Sequence, residues 1–171
     1  MKQHDINTYE HSFRVAELME RFGTFLDLEK DTIAQLYQLG KYHDIGKIYI
    51  DKNILTKKEK LNDNEYEQIF NHTFYSYELL KNKGYSIEFL LGVLNHHENY
   101  NGTGYPFNLR NDEIPFFAHL LRIIDSYDAI TNNRAYQKAH SKEYALNELM
   151  LLRGEHYHPV YVDKFYQMMK A

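Results

Sequence analysis

The chain has 171 residues, 43% apolar and 26% charged, the balance of an ordinary soluble globular protein with room for one buried core. Its net charge of −4 leaves no broad basic surface, which argues against a polymeric nucleic acid as the main partner while leaving a small nucleotide open. With no cysteine there is neither a disulfide framework nor a thiolate site, so any metal must be held by imidazole and carboxylate. The first residues are polar and no apolar run reaches membrane-spanning length, so a cytoplasmic protein with no membrane partner is expected.

The predicted elements are helices throughout. Val15, Leu18, Phe22 and Leu26 recur at helical spacing, with His11 four residues earlier on the same face. A second stripe, Ile33, Leu36, Tyr37 and Gly40, runs on into His43 and Asp44. Asn62 and Glu65 have the form of a capping box, which starts a helix there, and His72 falls near its end or at the junction with the next, which closes at Gly84. Ser86 is an N-cap candidate, after which Leu90, Val93 and His97 share one face and His96 lies beside it. Pro115 opens a long helix through Leu120, Ile124 and Asp125 to about Ile130, and Ser141 and Pro159 open the last two. No segment alternates as a strand does. The expectation is a compact all-α fold, a single domain over residues 1–171.

Residues 99–114 interrupt this pattern. Gly102 and Gly104 allow positive φ or close backbone approach, and Pro106 stiffens the exit of the turn. A loop of this length between helices is uncommon unless it has a task, and it follows the His96-His97 pair directly. It must therefore hang over whatever those histidines bind.

Five of the ten histidines form a progression, His11, His43, His72, His96 and His97, joined by Asp44 and later by Asp125. Neighbouring residues on a helix point about 100° apart, so each doublet can address two ions or brace one from two sides. His11 or His72 alone reads as a hydrogen-bonded core residue, and Asp125 alone as an ion-pair partner of Arg122. Several helices each bringing a metal-capable residue to the apolar stripe is a different matter. That pattern suits a buried multi-metal site and hydrolysis of a phosphate ester. His4, His140 and His156 lie in polar or terminal segments and His119 lies well round from Asp125, so none receives a metal role.

At these residues the chain resembles the HD-GYP phosphohydrolases, a branch of the HD superfamily of metal-dependent hydrolases that includes cyclic di-GMP phosphodiesterases. The resemblance rests on HSFRVA at 11–16, KYHDIGKIYI at 41–50, FNHT at 70–73, NHHENYNGTGYP at 95–106 and IIDSYDAITNNRAY at 123–136, in that order. It implies a bundle of about seven helices with the GYP loop over a buried metal site. It also implies metal ligands at His11, His43, Asp44, His72, His96, His97 and Asp125. Asp44 would bridge two divalent ions, iron or manganese by preference with zinc, nickel and magnesium left open; His11, His43 and Asp125 would complete one and His72, His96 and His97 the other. Lys47 would meet the scissile phosphate, Arg134 the far phosphate or a base, and Tyr105 with Gly102, Gly104 and Pro106 would shape the groove wall. Asp44 and Lys47 would be the catalytic pair.

Three positions depart from the family pattern. Asn7 stands where some members carry a glutamate that helps hold a third metal, so two metals are expected. Ala135, Tyr136 and Gln137 stand where Pro-Tyr-Arg or Pro-Tyr-Lys is usual, which removes a phosphate-binding charge. His158 replaces an aspartate before the last helix, at an expected cost of roughly 1 kcal/mol in capping. The expected activity is hydrolysis of cyclic di-GMP to linear pGpG, with further cleavage to GMP disfavoured. The alternatives are a relative acting on another cyclic dinucleotide or nucleotide, and a catalytically silent nucleotide-binding or docking module. A regulatory protein partner would supply the controlling signal, and a homodimer is left open.

Overall fold

The structure, a computed structural model, describes residues 5–57, 59–133 and 139–171. Among them are α1 (Ile6–Phe25), α2 (Lys30–Tyr42), a single-turn α3 (Lys52–Leu55), α4 (Asp63–Phe70), α5 (His72–Leu80), α6 (Ile87–Asn95), α7 (Phe116–Thr131), α8 (Lys142–Leu151) and α9 (Pro159–Lys170). Short 3-10 turns cover Ile45–Tyr49 and Asn111–Glu113. The described residues contain no strand, only the isolated bridges Asn101–Arg110 and Arg153–Tyr157. The helical segments outnumber the expected bundle because α3 is one turn long and because α4 and α5 are divided only at Asn71. None is long and apolar enough to cross a membrane.

The helix starts follow local chemistry. Asp5 accepts from the amides of Asn7 and Thr8 to cap α1, and Asn62 and Glu65 close a reciprocal capping box on α4. Ser86 and Ser141 cap α6 and α8 through the amides of Phe89 and Tyr144. At α9 the His158 ring does what the sequence did not promise: its Nδ1 accepts from the Val160 amide at 3.2 Å, so the start is capped after all.

The core is organised around α7, which is buried on nearly every face, as expected of a central helix. Leu120, Leu121, Ile123 and Ile124 are fully enclosed, and α1, α2, α6, α8 and α9 all pack against this helix. Phe22 of α1 meets Phe165 of α9 edge to face at 5.4 Å, and Tyr127 of α7 meets the same ring at 5.3 Å. Each such buried ring or aliphatic chain contributes roughly 1.5–3 kcal/mol relative to exposure. This packing sets α1 and α7 side by side, so that His11 and Asp125 face one another. The α1–α2 hairpin brings His43 alongside them.

Candidate metal centre

Seven side chains from five elements and their junctions meet at one end of the bundle. His43 is the residue that ends α2, Asp44 follows it, His72 opens α5 immediately after α4, and His96 ends α6 with His97 next. The sequence reading carried both doublets along a helical stripe; the structure places them just past the helix ends instead. The reason is electrostatic. The last four carbonyls of a helix lack intrahelical partners, and they carry partial negative charge. His43 Nδ1 lies 2.8 Å from Gly40 O, His96 Nδ1 2.6 Å from Val93 O, and His72 Nδ1 bonds Ile69 O, each three residues back in a final turn. The C-termini of α2, α4 and α6 thus converge on one point, a setting that favours a cation.

Those bonds fix the tautomers. A carbonyl can only accept, so each Nδ1 carries the proton and each Nε2 presents a lone pair. The fourth ring obeys the same logic with a side chain: His11 Nδ1 donates to Asp128 Oδ2 at 2.6 Å, and Asp128 is held by Arg14 Nε at 2.8 Å, Arg14 Nη2 at 2.9 Å and Asn132.

The free nitrogens then surround Asp44, which is 1% exposed. One carboxylate oxygen, Oδ1, lies 3.2 Å from His72 Nε2 and 4.0 Å from His96 Nε2. The other, Oδ2, lies 3.4 Å from His43 Nε2 and 3.8 Å from His11 Nε2. Asp125 Oδ1 is 3.1 Å from His11 Nε2. Two groups of ligand-type atoms result, Asp44 with His72, His96 and His97, and His11 with His43 and Asp125, each gathered within 4.8 Å.

Left as bare protein, this arrangement is unfavourable. His72 Nε2 and His96 Nε2 face each other at 3.4 Å with lone pairs on both. His11 Nε2, His43 Nε2 and Asp44 Oδ1 are buried without a hydrogen-bond partner, although Asp125 Oδ1 lies close to the first. Orphaned buried polar atoms of this number call for a compensating cation. A donor set of imidazole and carboxylate with no thiolate fits first-row divalent metals. Burial drives His96 and His97 well below the usual imidazole range, and the neighbouring rings push the same way, so both are neutral donors. Burial acts to raise the Asp44 carboxyl, but Lys47 and His43 override it and hold Asp44 well below the usual carboxylate range. For His11, burial pulls down while Asp125 and Asp128 pull harder upward, so the position demands positive charge.

Lys47 sits in the 3-10 turn with Nζ 2.6 Å from Asp44 Oδ2 and lines the adjoining cavity. The turn reaches α5 only because residue 46 is glycine: a β-carbon there would overlap the main chain of His72 and Ser76, and the Gly46 amide donates to Ser76 Oγ at 2.8 Å. The GYP loop folds back in the same way. A β-carbon on Gly104 would overlap the backbone of His97, Glu98 and Asn99, while Gly102, at φ 81°, packs on Arg110. Glu98, 1% exposed, accepts from the amides of Phe107 at 2.7 Å and Leu109 at 3.2 Å and so ties the loop down. Arg122 bonds Asn99 and Ser126, which gives it a structural task at the loop's base. Of the four loop residues picked from the sequence, Tyr105 lines the cavity; Gly102, Gly104 and Pro106, which follows a cis peptide bond, shape the loop behind it. Arg134, with Ala135, Tyr136 and Gln137, lies outside the described residues.

Sequence reasoning passed over Asp128 and Arg14. A signal for both was available: Asp128 lies one helical turn after Asp125, and Arg14 one turn after His11, inside segments already singled out.

The fold and the converging donors define a class, an α-helical domain whose buried histidine–aspartate cluster has the donors to hold metal. The model of the HD domain family matches residues 2–160, and the chain belongs to that family. It is 32% identical to a cyclic di-GMP phosphodiesterase of Thermotoga maritima over 169 residues, 97% of this chain and 46% of that protein. It is 34% identical to the 3'3'-cGAMP-specific phosphodiesterase 1 of Vibrio cholerae over 156 residues, 86% of this chain and 34% of that protein. Among solved structures it resembles Bd1817, an HDG"Y"P protein from Bdellovibrio bacteriovorus, with TM-score 0.75 at 17% identity, covering 95% of this chain and 52% of the other, a likeness of fold. The chain spans less than half the length of these curated relatives.

Proposed function

We propose that residues 1–171 form one metal-dependent catalytic domain that hydrolyses a phosphodiester of cyclic di-GMP to give linear pGpG. The observation that carries this reading is the buried, unpartnered trio of His11 Nε2, His43 Nε2 and Asp44 Oδ1 within the two groups of ligand-type atoms. Two divalent ions are the expected load, iron or manganese, one on Asp44, His72, His96 and His97 and the other on His11, His43 and Asp125, with an Asp44 oxygen facing each set. Bound there, the ions supply a Lewis acid that activates water near neutral pH and offsets negative charge on the phosphorus oxygens.

The chain's own residues do the rest. His43, His72 and His96 are locked by main-chain bonds in the donor tautomer, so no tautomer change is needed on loading. Lys47 brings a cation to the cavity wall beside Asp44 and would neutralise a phosphate oxygen there. Burial raises the Tyr105 phenol, which therefore stays protonated and meets an anionic substrate only as a hydrogen-bond donor. Asn7 lines the cavity with a neutral amide, which supports two ions over three. Arg134 is retained as a phosphate or base contact on the family resemblance alone.

A second reading has a specific support: relatives at about the same identity include a 3'3'-cGAMP-specific enzyme, so the preferred cyclic dinucleotide can differ. The test is turnover of cyclic di-GMP, 3'3'-cGAMP and cyclic di-AMP by anaerobically prepared protein loaded with Fe²⁺ or Mn²⁺, with metal content measured alongside. Release of pGpG at two metal equivalents is expected, and Asp44→Ala should abolish it. Binding of every dinucleotide without cleavage by fully loaded protein would leave a nucleotide-binding module in place of an enzyme.

A further inference from the structure

The cavity in front of the metal-ready cluster measures about 510 Å³ and has a mixed lining. Asn7 and Thr8 of α1, Asn132 after α7 and the charged Lys57, Glu59 and Lys60 contribute polar groups. Leu55, Leu61, Tyr66, Phe70 and Tyr105 contribute apolar and aromatic surface. Three of these rings continue outward from the ligand His97. Tyr105 stacks on His97 with centroids 4.8 Å apart at 24°, and Phe70 stacks on the other side of Tyr105 at 4.1 Å and 20°. Tyr66 follows, tilted, 6.1 Å from Phe70.

Tyr105 therefore has both faces occupied and no face left to offer a ligand. Phe70 and Tyr66 differ. They retain 41% and 42% of their surface, although both lie in the cavity and on a short helix that buries no residue fully. Apolar rings held at this exposure next to a charged cluster present flat π surface at a fixed distance from the ligand His97. Such surface binds nucleobases without needing hydrogen bonds to them.

We infer that Phe70 and Tyr66 form a stacking shelf for one purine base of the substrate, positioned by the His97–Tyr105–Phe70 stack so that the attached phosphodiester lies over Asp44. The identity of the ligand rests on the phosphodiesterase reading above; the shelf itself rests on the rings. Phe70 and Tyr66 then set affinity and base preference, favouring purines over pyrimidines because larger rings stack better, and leave the chemical step to the cluster.

Two measurements on metal-loaded protein test this. In the first, Phe70→Leu and Tyr66→Leu should raise KM for cyclic di-GMP on the order of tenfold. The loss should be smaller for cyclic di-UMP, and Phe70→Tyr and Tyr66→Phe, which keep a π face, should restore KM. Tyr66 contacts Phe70 from an exposed position, so its variant also serves where Phe70→Leu disturbs folding. The second follows fluorescence of a cyclic dinucleotide carrying 2-aminopurine in place of one guanine, which is quenched by stacking whether or not cleavage occurs. Quenching by the wild type that is lost in the leucine variants supports the shelf, even if no substrate is turned over and the enzymatic reading falls. Leucine variants with unchanged KM and unchanged quenching overturn the shelf while leaving the enzyme reading intact. Absence of quenching with the wild type overturns it as well.

Discussion

Two clusters of enclosed imidazoles can be compared in this molecule. In one, His43, His72, His96 and His11 point Nε2 at Asp44 and Asp125. In the other, His119 of α7 is 5% exposed, also has an unpartnered Nε2, and meets the half-buried His158 at 4.8 Å between ring centroids. Among the described residues, His119 joins no group of three ligand-type atoms. Burial pushes it down to about 4, so it stays neutral by giving up its proton. An orphaned nitrogen is thus not itself a site. What separates the clusters is the number of lone pairs and carboxylate oxygens that share one small volume, which a single proton cannot satisfy.

The sharpest way to break the comparison is Asp44→Ala. It removes the carboxylate that faces both groups, and cyclic-dinucleotide turnover should fall by at least roughly 10³-fold with loss of bound metal. His119→Asn should leave metal content, read by elemental analysis, unchanged. A smaller effect is expected from Asp128→Asn, which keeps the shape but weakens the hold on the His11 ring. Metal affinity in a competition titration should drop about 10- to 100-fold. If it does not move, the His11 orientation is set by packing alone.

Acid stability probes the second cluster. Unfolded His119 takes a proton near pH 6.5, whereas folded His119 does so only near pH 4. Between those values the unfolded chain binds more protons, so stability present above pH 6.5 is lost as pH falls toward 4, by up to about 3 kcal/mol. His96 and His97 act with the same sign when metal is absent. Denaturant midpoints of chelator-treated protein across this range should therefore fall less steeply for His119→Asn. The smallest effect concerns the α9 cap: because His158 already accepts from the Val160 amide, His158→Asp should gain less than about 1 kcal/mol. A larger rise in thermal midpoint would mean the imidazole cap is ineffective.

Much of this was legible in the residue order, and the parts that were not share a cause. Caps such as Asn62 with Glu65, Ser86 and Ser141 are local, so their spacing alone gives the helix starts. The seven metal-capable residues stood out because polar groups on several apolar stripes are costly to bury singly. The exit of His43 and His96 from their helices was hidden, since apolar periodicity runs through a C-terminus without marking it. Asp128 carried only the weak signal of lying one turn after Asp125, because its worth lies in a contact with residue 11, across the fold. The shelf on α4 was hidden likewise, as nothing in the residue order marks Tyr66 and Phe70 as exposed.

The anchoring of the rings carries an evolutionary consequence. Three of them are steered by peptide carbonyls, which every residue possesses and no point substitution can erase. The ring at position 11 is steered by the carboxylate of residue 128, which one codon change can remove. Sequence drift should therefore erode the half of the pocket around His11 first, and the half around His72 and His96 should outlast it.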